Sequence, residues 1–319
     1  MIHSEVIIVG GGPAGAACAG RLRQQGIDCL VLDQRAFPRL KPCAGWITPE
    51  VLRNLAIQPH DYPPSMVTFR SFEISVRGFH FRLPTYQHAI RRVEFDHWLL
   101  QRSGAPVRVH PVKTILPTTH GYEIDSEYSG KYLVGAGGTY CPVYRALFKD
   151  AAPRDRGALI AAMEEEFAYP AADPRCYLWF LENNLPGYAW YVPKANGFIN
   201  VGIGGTAEDM KTGLNLKQHW DLFTHKLDQL GLVHGHSYQP VAHSYYLRRP
   251  LRKIRHGNAL LTGDSAGLAT GDLGEGICAA IRSGQLAADA ISSGTEYSLR
   301  KVTRYSFISI LRSGIFRSK

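Results

Sequence analysis

Two glycine-rich stretches, one at the start of the chain and one far along it, could bind a phosphate-bearing cofactor. The first, Gly10-Gly11-Gly12-Pro13-Ala14-Gly15, follows the apolar run EVIIV of residues 5–9 and precedes an alanine-rich segment. A strand, a glycine turn and a helix in that order let the backbone approach a pyrophosphate at the helix N-terminus. Asp33 ends a second apolar run about twenty residues later, where a carboxylate accepts hydrogen bonds from a ribose. The pattern predicts a dinucleotide-binding fold.

The second stretch distinguishes FAD from NAD. Residues 258–262 (NALLT) predict a strand, Gly263 and Asp264 follow it, and a helix opens near Gly276 after Gly274. An acid so far along the chain can meet the same cofactor only if that cofactor is long. FAD has a ribityl chain for Asp264 to bind, and the helix N-terminus would favour the anionic reduced flavin. We therefore expect FAD, and we find no second nucleotide fingerprint.

The strands and helices around these motifs predict a Rossmann-type α/β domain. Because the motifs lie far apart in the sequence, this domain is expected in three pieces, residues 1–65, 91–150 and 249–295. Between them, residues 66–90 and 151–248 contain alternating strand-like runs, with a helix near Leu214 to Leu230. We expect these insertions to form one antiparallel β-sheet that binds the substrate. Residues 296–319 form a basic amphipathic segment, which predicts either contact with a membrane surface or a helix packed on the domain.

Composition excludes several classes of protein. The chain has 319 residues, a net charge of +9 and six cysteines, none in a CxxC pair or at metal-ligand spacing. These features predict a reduced compartment, no metal site and no nucleic-acid module. No signal-peptide layout and no long apolar run occurs, so we expect a cytoplasmic protein, in peripheral contact with a membrane if its terminal segment binds lipid.

A third stretch, YAWYVPKANGFINVGIG from Tyr188 to Gly204, is unusual for a plain core strand. Tyr188 and Trp190 share one face of an extended segment, and Pro193 is expected to end its sheet pairing. A turn-like Lys-Ala-Asn-Gly and a second run closed by Gly202 and Gly204 follow. The residues alone leave two interpretations, a packed sheet core or an apolar wall beside a ligand.

With the FAD motifs, three landmarks resemble the geranylgeranyl reductase family, FAD-dependent oxidoreductases of the glutathione reductase and para-hydroxybenzoate hydroxylase type of fold. Lys41-Pro-Cys43-Ala44-Gly45 resembles the family's Lys-x-Cys-Gly loop beside the flavin. Residues 92–99 (RVEFDHWL) resemble its RxxFDxxL helix start. Tyr188-x-Trp190-x-x-Pro193, followed by Gly202-x-Gly204, resembles its YxWxFP-x8-GxG motif, with Val192 in place of Phe.

The resemblance implies reduction of a C=C bond in a prenyl lipid, with Cys43, Tyr188 and Trp190 near the reacting carbons. It also implies a transient electron donor, either NADPH or NADH or a ferredoxin-type iron–sulfur protein. The hairpin would line the lipid tunnel, with substrate contacts at Tyr188, Trp190, Pro193, Gly202 and Gly204. The FAD-binding residues are expected to be Gly10, Gly12, Pro13, Ala14, Gly15, Asp33, Gln34, Arg35, Lys41, Cys43, Ala44, Gly45, Arg92, Val112, Gly135, Ala136, Gly137, Gly263, Asp264, Gly274, Gly276 and Ile277.

Departures from the family pattern leave rival hypotheses open. Gly137 stands where the family has an acid, and Arg145 follows where a basic residue is expected. One rival is a flavin-dependent monooxygenase or halogenase, although position 188 is Tyr rather than the Trp of the halogenase signature. A second rival is a non-catalytic flavin-binding or electron-transfer protein.

Overall fold

The computed structural model describes residues 1–171, 173–250 and 253–306. The predicted C-terminal amphipathic segment lies outside the described residues from position 307 onward. The chain forms two compact units. Unit 1 comprises Met1–Arg39, Val93–Asp155 and Tyr246–Tyr305, and unit 2 comprises Leu40–Arg92 and Arg156–Tyr245.

The helices and strands are numbered in chain order. The strands are β1 Ile2–Val9, β2 Cys29–Asp33, β3 Trp46–Ile47, β4 Val67–Val76, β5 Phe79–Ala89, β6 Val107–Val109, β7 Ile115–Thr118, β8 Gly121–Ile124, β9 Tyr128–Gly135, β10 Leu159–Ala168, β11 Cys176–Phe180, β12 Gly187–Lys194, β13 Phe198–Thr206, β14 Val241–Tyr246, β15 Arg255–His256 and β16 Ala259–Leu261. The α-helices are α1 Pro13–Gln24, α2 Pro49–Leu55, α3 Arg92–Arg102, α4 Pro142–Leu147, α5 Leu216–Gln229 and α6 Ile277–Ser293. Among the described residues, no helix is long and apolar enough to cross a membrane.

Unit 1 is built on a largely parallel sheet in the order β15-β16-β9-β1-β2-β6. The pairs of β1 with β2 and β9, and of β9 with β16, are parallel, and the β7–β8 hairpin joins β9 antiparallel. All five residues of β2 are buried, as expected for a central parallel strand. Helices α1 and α6 approach closely at Gly284, which has no side chain. A Cβ there would lie 2.2 Å from the Ala14 carbonyl oxygen.

Unit 2 is a second sheet in the order β14-β10-β13-β12-β11-β4-β5-β3. The registers of β10, β13, β12 and β11 are antiparallel, whereas β11 runs parallel to β4, which departs from the expected all-antiparallel sheet. Helix α5 confirms the predicted helix and covers one face of this sheet, where Tyr191, Val201 and Ile203 are fully buried. The other face presents Tyr188, Trp190 and Gly202.

The boundary of unit 1 differs from the prediction at its first break. Residues 40–65 were expected in the FAD-binding domain, but they belong to unit 2. The reason is a long-range pairing, because Trp46 and Ile47 form β3 opposite Ala89 and His88 of β5. The Trp46 ring also packs edge-on against Phe72 with centroids 4.9 Å apart, which holds this segment to the second sheet.

Candidate functional site

The first glycine stretch forms a tight turn between β1 and α1. Gly10 has φ +111, and a Cβ there would lie 2.4 Å from the Ala136 carbonyl oxygen. A Cβ on Gly15 would lie 1.8 Å from the Gly10 carbonyl oxygen, so both positions require glycine. A Cβ on Gly12, by contrast, would have Arg39 Nη2 as its nearest neighbour at 3.8 Å, which leaves room for a ligand.

Helix α1 begins at Pro13 with Gly12 as its N-cap residue, and no side chain caps its first turn. Its first amides and the positive end of its dipole are therefore suited to a pyrophosphate. Pro13, Ala14 and Gly15 are buried and form the base of this cradle. The cradle fits the phosphates of a dinucleotide for two reasons. There is space beside Gly12, and no side chain competes for the first amides of α1.

Asp33, at the carboxyl end of β2, is 5% exposed and holds the glycine loop in place. The Gly11 amide donates to its Oδ2 at 2.8 Å, the Arg35 amide donates to its Oδ1 at 3.0 Å, and Arg39 Nη2 lies 3.3 Å from Oδ2. A carboxylate has about four acceptor sites, so capacity remains for a ribose hydroxyl. Gln34, also predicted to bind the cofactor, follows on the exposed surface.

The carboxyl ends of β9 and β16 lie side by side next to this cradle. The Thr262 amide donates to the Gly135 carbonyl at 3.0 Å, and the Ala136 amide donates to the Val9 carbonyl at 2.8 Å. Gly263 has φ +53, and its amide donates to Ser283 Oγ of α6 at 2.9 Å. The turn that carries Asp264 is thereby fixed between the glycine loop and α6.

Helix α6 starts within the second motif. Gly276 is its N-cap residue, Ile277 is its first residue, and Gly274 takes φ +66. Glu275 Oε1 accepts a hydrogen bond from the Cys278 amide at 2.7 Å, so this side chain caps the helix. Of the predicted residues in unit 1, Gly137 packs near Cys141, whereas Val112 lies half-buried in the loop after β6.

Arg145 is exposed on α4, whereas Arg154 is half-buried beside the second motif. Arg154 donates to the carbonyls of Thr139 and Ser265, the latter at 2.8 Å, and its guanidinium lies 3.8 Å from the Tyr144 ring centroid. Burial lowers the pKa of Arg154. The sequence did not single out Arg154, because its contact with Ser265 joins residues far apart in the chain.

In unit 2, the loop of Lys41, Cys43, Ala44 and Gly45 lies on the face of the sheet that carries Trp190. Lys194 Nζ donates to the Ala44 carbonyl and, at 2.9 Å, to the Ile90 carbonyl. Gly45 has φ +62, and a Cβ there would lie 2.1 Å from the Ile90 carbonyl oxygen. The loop is therefore anchored, with the half-buried Cys43 Sγ accepting from the Gly45 amide at 3.4 Å.

The aromatic pair lies opposite the two glycines of the next strand. Tyr188 is in register with Gly204, and Trp190 is in register with Gly202. A Cβ on Gly202 would lie 2.2 Å from Trp190 Cζ2, so the indole fills the space that a side chain would take. The rings of Tyr188 and Trp190 are 5.6 Å apart, and Trp190 Nε1 donates to Asn200 Oδ1 at 2.7 Å. The pair forms an apolar wall with its polar atom satisfied.

Pro193 does not end the pairing of β12, contrary to the expectation. It is in register with Ile199, and the strand continues to Lys194. Neighbouring β11 pairs only with Tyr188–Tyr191, so at Pro193 the strand has a partner on one side, where a missing N–H is tolerated.

A buried acid that the sequence did not single out lies beside the wall. Glu164 of β10 is in register with Gly202 and is 2% exposed, and neither of its carboxylate oxygens has a hydrogen-bond partner. Burial raises the pKa of Glu164 to about 8, with Lys194, Lys41 and Arg92 opposing this effect and Glu166 adding to it. At neutral pH this carboxyl is therefore largely protonated.

Two further groups of unit 2 have pKa values shifted from their ordinary range. Burial lowers the pKa of Lys194, which is 5% exposed, although nearby acids oppose this. Burial, together with Lys41 and Arg92, lowers the pKa of His243 to about 3, so this imidazole is neutral. Arg92, predicted to bind the cofactor, is 8% exposed and belongs with Lys41 to this charged cluster of unit 2.

Comparisons with known proteins identify an FAD binding domain and relatives that include prenyl-lipid reductases. The model of the FAD binding domain matches residues 3–57. An uncharacterized protein of Methanosarcina barkeri is 30% identical over 92% of this chain and 76% of its own. A digeranylgeranylglycerophospholipid reductase of Methanopyrus kandleri is 26% identical over 92% of this chain and 81% of its own.

Solved structures give the same fold. A geranylgeranyl bacteriochlorophyll reductase-like protein from Thermoplasma acidophilum has a TM-score of 0.81 at 24% identity, over 98% of this chain and 85% of that one. A flavin-dependent brominase has a TM-score of 0.73 at 16% identity, over 93% and 81% of the two chains. At these identities the likeness concerns the fold alone, and it confirms the predicted fold class. The relatives in sequence, with the glycine cradle and Asp33, establish that the chain belongs to the geranylgeranyl reductase family of FAD-dependent oxidoreductases.

Proposed function

We propose that this enzyme reduces C=C bonds in the prenyl chain of a lipid. The observation that carries the proposal is the aromatic wall of Tyr188 and Trp190 over Gly202 and Gly204, in a chain that belongs to this family. The Methanopyrus relative bears the name of a reductase of a lipid with geranylgeranyl chains, which supports a substrate of this chemical class.

When bound, reduced FAD supplies the hydride for such a reduction. The glycine cradle would hold its pyrophosphate, Asp33 its ribose and Asp264 its ribityl chain. An isolated alkene resists hydride attack, so the protein must align it and exclude water. Tyr188 and Trp190 provide a flat apolar surface for the alkene, and the glycines opposite them keep that surface free of other side chains.

The second hydrogen arrives as a proton from the protein or from water. The thiol of Cys43, the hydroxyl of Tyr188 and the carboxyl of Glu164 are three groups on this face of unit 2 that could supply it. Glu164 carries its proton at neutral pH because it is buried. The electron donor that reduces the flavin between turnovers is proposed to be NADPH or NADH, or a small iron–sulfur protein.

The test is an anaerobic single turnover. The flavin is reduced chemically, excess reductant is removed, and geranylgeranyl diphosphate or a prenylated lipid extract is added. Flavin re-oxidation without oxygen, with a product heavier by two hydrogens, supports the proposal. Flavin that stays reduced until air is admitted, and then consumes oxygen in proportion to a substrate, contradicts it and favours the monooxygenase or halogenase alternative.

A pair of variants tests whether the aromatic wall contacts the substrate. Tyr188→Leu should slow re-oxidation by about tenfold or more, because the alkene loses its aligned surface. Tyr177→Leu is the matched control, since Tyr177 lies in register with Tyr191 on the opposite face of the sheet and should leave the rate unchanged. Equal rates for wild type and Tyr188→Leu would remove Tyr188 from the site.

A further inference from the structure

The aromatic wall continues across unit 2 as two rows of paired residues. One row joins Tyr188 to Phe180, Val76 and Phe79, on strands β12, β11, β4 and β5. The second joins Trp190 to Leu178, Ile74 and Phe81 on the same strands. Residues paired on adjacent strands point to the same face of a sheet. The two rows therefore form one apolar track from the wall to the tip of the β4–β5 hairpin.

Along this track Trp190, Leu178 and Ile74 are at most 6% exposed, and exposure rises only at the hairpin tip. Phe180 and Tyr188 are half-buried, and their ring centroids are 5.1 Å apart. Val76 is 36% exposed, Phe81 is 43% exposed and Phe79 is 78% exposed. Two exposed phenylalanines on one face of a hairpin tip, continuous with the aromatic wall, are not accounted for by core packing.

The tip has the charge of a surface that contacts anionic lipid. Its turn residues Arg77 and Gly78 both have positive φ, typical of a tight type I′ hairpin, and Arg77 is exposed. On the face opposite Phe79 and Phe81, Arg82 is also exposed, and Glu73 offsets part of its charge at 2.8 Å. Apolar rings flanked by cations are suited to the boundary between acyl chains and phosphate headgroups.

We propose that the tip of the β4–β5 hairpin docks on an anionic lipid bilayer and that the track guides a prenyl chain from the bilayer to Tyr188 and Trp190. The docking stands on the exposed residues alone, whereas the guidance rests on the proposed function. A membrane lipid could then reach the wall without its apolar chain crossing water.

Docking is tested by co-sedimentation of the FAD-loaded full chain with phosphatidylcholine vesicles, with and without phosphatidylglycerol. Phe79→Ser/Phe81→Ser should lower the partition coefficient by about tenfold or more, because two rings leave the bilayer. Arg77→Gln should reduce the preference for phosphatidylglycerol, with Arg82 retaining part of the positive charge, and should leave binding to phosphatidylcholine unchanged. Leu116→Ser is the matched control, since Leu116 is 56% exposed on the β7–β8 hairpin and should bind as wild type.

Two results would overturn docking. One is wild-type protein that does not sediment with either vesicle. The other is a double variant that binds vesicles as well as wild type does. If that variant also abolishes a dimer of the wild-type chain, the tip joins two copies of the chain and does not dock on a bilayer. Flavin content and melting temperature show whether the double variant is folded, and Phe79→Ser alone provides a milder substitution.

Guidance is tested with the prenyl lipid presented in vesicles or in detergent micelles, in the anaerobic turnover. The double variant should be slow in vesicles and normal in micelles. Equal slowing in both would overturn guidance and place the two rings in the chemistry or the stability of unit 2. If wild type re-oxidises with neither form, the proposed function fails, and the vesicle binding still decides the docking.

Discussion

Glu164→Gln should stabilise the protein above neutral pH and flatten the pH dependence of its stability. The carboxyl of Glu164 is enclosed beside Trp190 and Gly202 with no hydrogen-bond partner, and its pKa is raised from 4.5 to about 8. Below pH 4.5 the group is protonated in both the folded and the unfolded chain. Between pH 4.5 and 8 the unfolded chain releases the proton that the folded chain keeps, so the free energy of unfolding falls as pH rises.

The size of this effect follows from the two pKa values. Each pH unit between them corresponds to about 1.4 kcal/mol, so the full penalty above pH 8 is about 5 kcal/mol. From pH 5 to pH 8 the loss is about 3 to 4 kcal/mol. Gln keeps the shape and has no proton to release, so the advantage of the variant over wild type should grow by this amount. Lys194, Lys41 and Arg92 face the carboxyl from other elements and Glu166 from its own strand.

Urea unfolding of wild type and Glu164→Gln at several pH values between 5 and 8 measures the difference. Glu166→Gln is the control on the same face of β10. Glu166 pairs with Arg91 at 2.8 Å, so this variant loses an ion pair but retains Glu164 and the fall with pH. A carboxyl C=O infrared band present at pH 7 in wild type and absent from Glu164→Gln would report the proton directly. A Glu164→Gln curve parallel to that of wild type would refute the reasoning.

Three further substitutions test the site, with Gly213→Ala as their common control because a Cβ at Gly213 has no neighbour within 4 Å. Gly15→Ala should abolish FAD retention, since its methyl would meet the Gly10 carbonyl oxygen at 1.8 Å; a yellow protein with normal flavin absorbance would contradict this. Gly202→Ala should destabilise unit 2 by about 1 to 3 kcal/mol, because Trp190 must move from its place over the glycine, and unchanged urea unfolding would exclude that packing. Arg154→Ala should lower the melting temperature and FAD affinity, since it leaves the carbonyls of Thr139 and Ser265 without their donor; an unchanged titration with FAD would confine Arg154 to a structural role.

The FAD-binding fold could be predicted because its signals are local. The run before Gly10, the acid after β2 and the glycines near α6 each lie next to the element they serve, and β2 spans Cys29–Asp33 as expected. The family and the enzyme class, predicted from the combination of motifs, are confirmed by the relatives. The segment of residues 40–65 was misplaced because its position depends on Trp46 and Ile47 pairing with β5, about forty residues away.

The candidate site of unit 2 depends on strand register, which three consecutive glutamates in β10 illustrate. Glu165 points away from the wall and accepts hydrogen bonds from His236 Nε2 at 3.0 Å and the Gln239 amide at 2.6 Å. Glu166 pairs with Arg91, whereas Glu164 has no partner for either oxygen. In the sequence the three are identical, and a slip of one residue would exchange their faces.

The register therefore places the one glutamate of the three without a partner beside the aromatic wall. A buried carboxyl that lowers stability at physiological pH is the kind of group that structural needs alone do not explain, because Gln would fill the same space at lower cost. Lys194 could have paired with Glu164, yet its ammonium group donates to the carbonyls of Ala44 and Ile90 and so anchors the Cys43 loop instead. A proton is thus kept on a carboxyl next to Trp190, where the proposed reduction of an alkene needs one.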